Sequence, residues 1–410
     1  MTIKRNCCNT NLLYNNFIGE KMRNIVGPPV SGEDFWDREE VIELIRDSLK
    51  KQSVLLSAPR RFGKTSIMRK IYEDSMDYLP IFIDVEGLER PEEFISILIS
   101  EVYEKNKDLK DNFLKNIGIK ILERIDKIDI WKLRISLKEN LKENWFELGR
   151  ELFKTLKISE KPILFLIDEI PLMIRNIKDK EIAKSFLHWL RGLRQMPEIS
   201  DKTRWVFGSS IGFNYVIKNV GTTSEVINDL KTIRIAEFER SQAEDFIKKL
   251  IDEEIEIKDL DSSIIDGLLH KVGTPIPFFL QVIINELINL VKGGRFLSPD
   301  LIKDAYDQML SPWNRSYFEH YYERLAIYYE PQMARVVKKM LSLIAKKDTV
   351  NETELLELFR REIEGKEDED TFSLILSDLE NDFYVVKRDT YYQFSTKLLK
   401  DWWNRYYGWR

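Results

Sequence analysis

The chain has 410 residues, 64 basic and 69 acidic, for a formal charge of −5, with 43% hydrophobic and 32% charged residues. That length calls for two or three domains, the composition excludes a disordered chain, and the mildly acidic balance argues against a protein built mainly to coat nucleic acid, though a local basic face remains open. Three histidines and two adjacent cysteines, Cys7 and Cys8, leave almost nothing for a zinc site or a disulfide framework, and no apolar run reaches the ~18 residues of a membrane span, so a cytoplasmic protein is expected.

Residues 1–21 are polar, Asn-rich and without periodicity, and Met22 opens a stretch that reads like an ordinary protein start. Two readings stand for 1–21: a dispensable extension with a misplaced start, or a short ordered arm. Asp37–Lys51 has helical spacing, with Val41, Ile42, Leu44, Ile45 and Leu49 on one side. An apolar run at Ser53–Ser57 leads into the loop APRRFGKTS and a helix from Thr65 to about Asp77. A second strand follows at Ile81–Gly87, then helix over 91–107. Within 108–145 the alternation of Trp131, Leu133 and Ile135 with Lys132, Arg134 and Ser136 predicts strand pairing over Ile128–Leu137. Helix is expected over 145–157 and 180–195, with strands at Ile163–Asp168, Arg204–Ser210 and Ile233–Phe238. Short continuous apolar strands separated by helices predict a parallel sheet covered on both faces.

From Ser241 to about 330 the pattern is wholly helical. The last eighty residues then read as three short helices (332–346, 351–363, 369–381) and a hairpin, Phe383–Arg388 with Tyr391–Ser395, the order of a winged helix. The expected architecture is an α/β P-loop NTPase αβα sandwich with a parallel sheet, an all-helical lid and a C-terminal winged helix. The expected divisions are an extension (1–21), a nucleotide core (22–240), a lid with a linker helix (241–330) and a winged-helix-like domain (331–410).

The chemistry concentrates in Ala58-Pro59-Arg60-Arg61-Phe62-Gly63-Lys64-Thr65-Ser66. This nearly matches the phosphate-binding loop, in which Gly63 permits a tight turn with inward N–H groups, Lys64 reaches the β- and γ-phosphates and the Thr65 hydroxyl ligates Mg²⁺. Ala58 stands where the consensus has Gly, which is tolerated only at negative φ. The bare triplet Gly-Lys-Thr is weak evidence; the strand before it, the helix after it and an acidic strand end a hundred residues on make it specific. That strand end is Asp168-Glu169: Asp168 would hold Mg²⁺ with Thr65, and Glu169 would act as general base. Helix capping is the bland alternative for the pair. Ser209 or Ser210 is the candidate polar sensor of the γ-phosphate, against simple capping of the next helix. Arg191 and Arg194 read as structural ion pairs first and arginine fingers second.

Together these motifs resemble the AAA+-related P-loop ATPases of the archaeal-ATPase and STAND type, over about residues 22–290. FWDREE (Phe35–Glu40), APRRFGKTS, FLIDE, GSSIGF (Gly208–Phe213), Asn228-Asp229-Leu230 and GTPIPFFLQ (Gly273–Gln281) carry the resemblance in order. It implies ATP and Mg²⁺ as cofactors, a region around Phe35 and Arg38 near the adenine, and a lid that approaches the nucleotide at Gly273, Pro275 and Pro277. The usual lid arginine has no match near GTPIP, so the resemblance carries no lid contribution to hydrolysis.

A reading helix for DNA should be basic. Lys366–Asp382 instead holds seven acidic side chains against one lysine. A protein partner or self-association through the C-terminal domain is therefore preferred to DNA, and no membrane contact is expected. WWNRYYGWR and the aromatic cluster Trp313–Tyr329 read as packing surfaces, the latter on a linker helix. The expectation is an ATP-driven conformational switch with Mg²⁺-dependent ATPase activity. The alternatives are an ATP-controlled DNA-binding protein and an ATP-binding interaction module with negligible turnover.

Overall fold

A computed structural model describes residues 21–106, 130–210, 213–257, 259–363 and 369–408. Strands β1 (Val54–Ser57), β2 (Leu79–Asp84), β3 (Ile163–Asp168), β4 (Thr203–Ser209) and β5 (Lys231–Arg234) form a parallel sheet in the order β2-β3-β4-β1-β5. All six residues of β3 are buried. Since neighbouring side chains point to opposite faces, both faces of this strand are covered. Phe165 and Trp205 sit side by side on β3 and β4, ring centroids 4.3 Å apart, and Phe153 and Trp189 extend the same aromatic cluster from the covering helices.

Helices α1 (Glu39–Leu49), α2 (Lys64–Asp74), α3 (Pro91–Lys105), α4 (Ile130–Lys154), α5 (Ile170–Asn176), α6 (Lys180–Gln195), α7 (Pro197–Ser200) and α8 (Phe213–Asn219) accompany the sheet. Two sequence expectations need correction. The stretch expected as strands, as far as it is described, is the start of α4, with a kink at Asn144. Leu137 and Leu141, one helical turn apart, are buried, while Arg134 and Lys138 pair with Glu101 and Glu93 of α3. That seam against α3 outweighs a short two-residue alternation. The fifth strand also begins earlier than Ile233, because β5 is an edge strand paired only to β1 and exposes Lys231, Thr232 and Arg234. Residues 1–20 and the lead-in Lys366–Asp368 lie outside the described residues.

Helices α9 (Arg240–Ile255), α10 (Ser262–Val272), α11 (Pro277–Lys292), α12 (Pro299–Met309) and α13 (Ser316–Tyr328) form the all-helical lid and linker. Then come α14 (Pro331–Lys347), β6 (Val350–Asn351), α15 (Glu352–Glu362), α16 (Glu369–Asn381), β7 (Val385–Arg388) and β8 (Tyr391–Phe394). Their antiparallel sheet runs β6-β8-β7, completing a winged helix. The final helix, α17 (Lys397–Tyr407), buries Trp402 and Trp403 completely, so the aromatic C-terminal run is core. Among the described residues no helix is long and apolar enough to cross a membrane.

The third winged-helix helix, α16, buries Phe372, Ile375, Leu376 and Leu379 and exposes Glu369 and Asp370. Burial, with the charge of Asp382 beside it, pushes the Asp378 carboxyl up to about 7, against the pull of Lys218. The folded state therefore favours the protonated acid, and Asp378 costs stability progressively as pH rises from near 3.8 to about 7. Asp378→Asn is expected to raise the urea midpoint at pH 8 and to raise it less at pH 5, measured by circular dichroism at both values.

Candidate nucleotide site

In open α/β sheets ligands bind outside the carboxyl ends of the strands. At that edge lies a cavity of about 370 Å³, lined by the loop Pro59–Gly63, by Lys64, Thr65 and Ser66, and by Asp84, Glu86, Asp168, Glu169 and Ser210. Its apolar part comes from Phe35, Trp36, Phe238, Phe246, Pro277 and Phe278. The size falls within the ~300–1,000 Å³ usual for small-molecule sites.

The loop turns through two left-handed residues, Arg61 (φ 77°) and Gly63 (φ 87°). Gly63 supplies this at no steric cost; Arg61 does so while its guanidinium donates to the Gly27 carbonyl (3.1 Å) and stacks over Phe278 at 4.1 Å. Ala58 avoids the left-handed region, so Ala serves there, and its N–H donates to the Ser209 carbonyl. The helix α2 starts at Lys64, directing its positive end at the loop.

Lys64 Nζ lies 2.7 Å from Glu169 Oε1 and 3.1 Å from Asp168 Oδ1. Thr65 Oγ1 donates to Asp168 Oδ2 (2.6 Å), and Ser210 Oγ donates to Glu169 Oε2 (2.6 Å). Glu169 itself adopts φ 61°, a conformation costing a non-glycine residue on the order of 1–3 kcal/mol and concentrated at functional sites. Burial alone would raise its pKa; Lys64, the Ser210 hydroxyl and Arg60 outweigh that and hold it below the usual carboxylate value. Glu169 is therefore ionised at neutral pH. A hydroxyl and a carboxylate oxygen together are a hard donor set suited to Mg²⁺, which keeps most of its shell for water and phosphate. Among the described residues no cluster of three His, Cys, Asp or Glu could hold a metal unaided.

The fold places this geometry among known proteins. No family model matches the chain, and no curated protein does. Among solved structures it is similar to the Walker-type ATPase paby2304 of Pyrococcus abyssi, with TM-score 0.60 at 19% identity over 92% of this chain and 99% of that one. It is also similar to the Aeropyrum pernix ORC2 protein in its ADPNP–ADP complexes, with TM-score 0.53 at 11% identity over 89% and 92%. The fold is that of a P-loop ATPase.

Within this P-loop fold the candidate residues divide. Phe35 and Arg38 line the cavity, with Arg38 over the Phe238 ring at 4.4 Å and its pKa pushed down to about 10 by burial. Ser210 lines it, whereas Ser209, equally buried, is not a lining residue. Pro275 is not a lining residue. Its carbonyl accepts from the backbone N–H of Phe238, a lining residue, and Pro277 is the lid proline at the wall. Gly273 and Thr274 face the winged helix instead: Thr274 Oγ1 donates to the Ser395 carbonyl, and a Cβ on Gly273 would stand 3.1 Å from Lys397 N. Arg194 is locked by Asp229 (2.7 and 2.8 Å) and the Val226 carbonyl, the ion-pair reading rather than a finger.

Sequence reasoning passed over Asp84, Glu86 and Arg324. Asp84 ends β2 in register with Asp168, and burial with the neighbouring Asp168, Glu86 and Glu169 charges raises its pKa despite the Glu86 N–H it accepts. The signal was available: IFID and FLID end alike. Gly208 is needed for space, since a Cβ there would collide with Asp168 Oδ1 and meet Met68 Sδ at 3.0 Å. Gly208→Ala is expected to cost about 1–3 kcal/mol in urea unfolding. It should also weaken nucleotide affinity in Mg²⁺ more than in EDTA, as measured by titration calorimetry.

Proposed function

We propose that this chain binds ATP with Mg²⁺ in the cavity and hydrolyses it, and that the nucleotide state is passed to the C-terminal winged helix. The observation that carries this is the fully connected set Thr65–Asp168–Lys64–Glu169–Ser210 facing the phosphate loop within one cavity. The loop N–H groups and Lys64 would cradle the phosphates, and the rings around Phe238 would receive the base. Mg²⁺, held at Thr65 and Asp168, supplies neutralisation of charge on the β- and γ-phosphate oxygens when bound. Glu169, ionised and aimed by Ser210, would take a proton from the attacking water as it adds in line to the γ-phosphorus and the bond to the β–γ bridging oxygen breaks, with ADP leaving.

The switch reading rests on contacts between the loop and the C-terminal elements. Phe62 of the phosphate loop packs edge-on against Phe383, with centroids 5.0 Å apart. Phe383 is itself left-handed, at φ 64°. Tyr384 Oη donates to the Tyr321 carbonyl on α13 (2.7 Å). A change in loop geometry at the phosphates would be felt directly at the start of the wing. The exposed acids Glu369 and Asp370 in the first turn of α16 favour a protein partner or self-association over DNA.

Lys64→Ala is expected to abolish tight ATP binding. Glu169→Gln should keep ATP affinity and lower kcat by about 10²–10⁴-fold, the usual worth of a general base. Isothermal titration and steady-state phosphate release read the two effects, and normal hydrolysis by the Lys64 variant would overturn the proposal.

A further inference from the structure

We propose that Arg324, on helix α13 outside the cavity wall, is the positioning residue that holds Ser210, and through it Glu169, in the geometry required for ATP hydrolysis. This rests on the ATPase activity proposed above. Arg324 is 5% exposed, and its Nη2 donates to the backbone carbonyl of Ser210 at 2.6 Å. The hydroxyl of the same serine donates to Glu169 at 2.6 Å. The serine is thus held from behind through its carbonyl and points its hydroxyl forward at the carboxylate.

A buried guanidinium is costly unless its donors and its charge are answered. Burial opposes its charge, but Tyr328, Asp382, Tyr384 and Glu169 outweigh that, so it remains a cation. Its side chain lies against the Tyr328 ring at 5.1 Å. Asp382 and Tyr384 belong to the winged helix, and Tyr384 is bonded to the Tyr321 carbonyl one turn before Arg324 on α13. The same cation therefore faces the general base on one side and the winged helix on the other. A displacement of α13, or of Asp382 and Tyr384 beside it, would loosen Ser210 through Arg324, which itself lies outside the cavity lining. The winged helix could in this way set the turnover rate.

The test uses the full chain with Arg324→Ala and Arg324→Lys, measuring kcat, Mg-ATP affinity and the thermal melt. For Ala the expected result is a kcat about 10- to 100-fold lower, typical for loss of a supporting residue. Mg-ATP affinity should stay within about threefold, the mark of a loss confined to the transition state. Lys, which keeps a donor and the charge, should recover much of the rate.

Should the alanine variant not fold, Arg324→Gln, which keeps a donor but not the charge, takes its place with the same expected direction. Wild-type kcat in the Ala or Gln variant overturns the proposal. So does a loss of affinity that parallels the loss of rate. A wild-type chain without Glu169-dependent turnover removes the ATPase activity and this role together. Turnover that needs Glu169 but not Arg324 removes this role alone.

Discussion

Two adjacent carboxylates, Asp168 and Glu169, are buried against one lysine, and most of the site's architecture answers that constraint. An unpaired buried charge would neutralise or unfold the region around it. Lys64 bridges both acids, Thr65 occupies the second oxygen of Asp168, and Ser210 occupies the second oxygen of Glu169. Lys64 and Thr65 follow β1 and Ser210 follows β4, while the acids end β3, so the strand order β2-β3-β4-β1-β5 is what makes the pairing possible. Gly208 leaves room for Asp168, and Glu169 accepts a left-handed backbone to turn its carboxylate into the cavity.

The same network reaches beyond the sheet. Arg61 stacks on Phe278 of α11, Phe62 meets Phe383, and Arg324 grips the Ser210 carbonyl from α13. Lid, linker and winged helix thus each touch the phosphate loop or the serine beside the base through one specific side chain. The aromatic residues of α13 and α17, with Tyr322 and Tyr407 stacked at 3.6 Å, fasten the linker to the C-terminal elements. A movement of the loop therefore meets a packed surface, and packed surfaces pass displacement on.

How much of this was legible depended on how local the signal was. β3 was readable to the residue because a central parallel strand is apolar along its length, and its last residue, Asp168, with Glu169 just after it, breaks that pattern. The phosphate loop was readable because consecutive residues build it. β5 was misplaced because an edge strand shows no continuous run, and β6 was missed because two residues leave no period. The start of α4 was misread because Trp131–Leu137 satisfies a two-residue alternation, while its helical partners lie on α3, 33 and 45 residues earlier in the chain.

By itself the sequence determined the positions of strands β1 to β4 along the chain and of the phosphate loop and strand-end acids, since these are written in contiguous residues whose chemistry is self-evident. Only the tertiary structure decided which of Ser209 and Ser210 faces Glu169, that Pro277 rather than Pro275 forms the wall, and that Gly273 serves the winged helix. It alone brought Arg324 to a residue 114 positions away. The reason is physical. A side chain's direction depends on backbone register, and contacts between distant segments are set by how whole elements pack, neither of which a local pattern encodes.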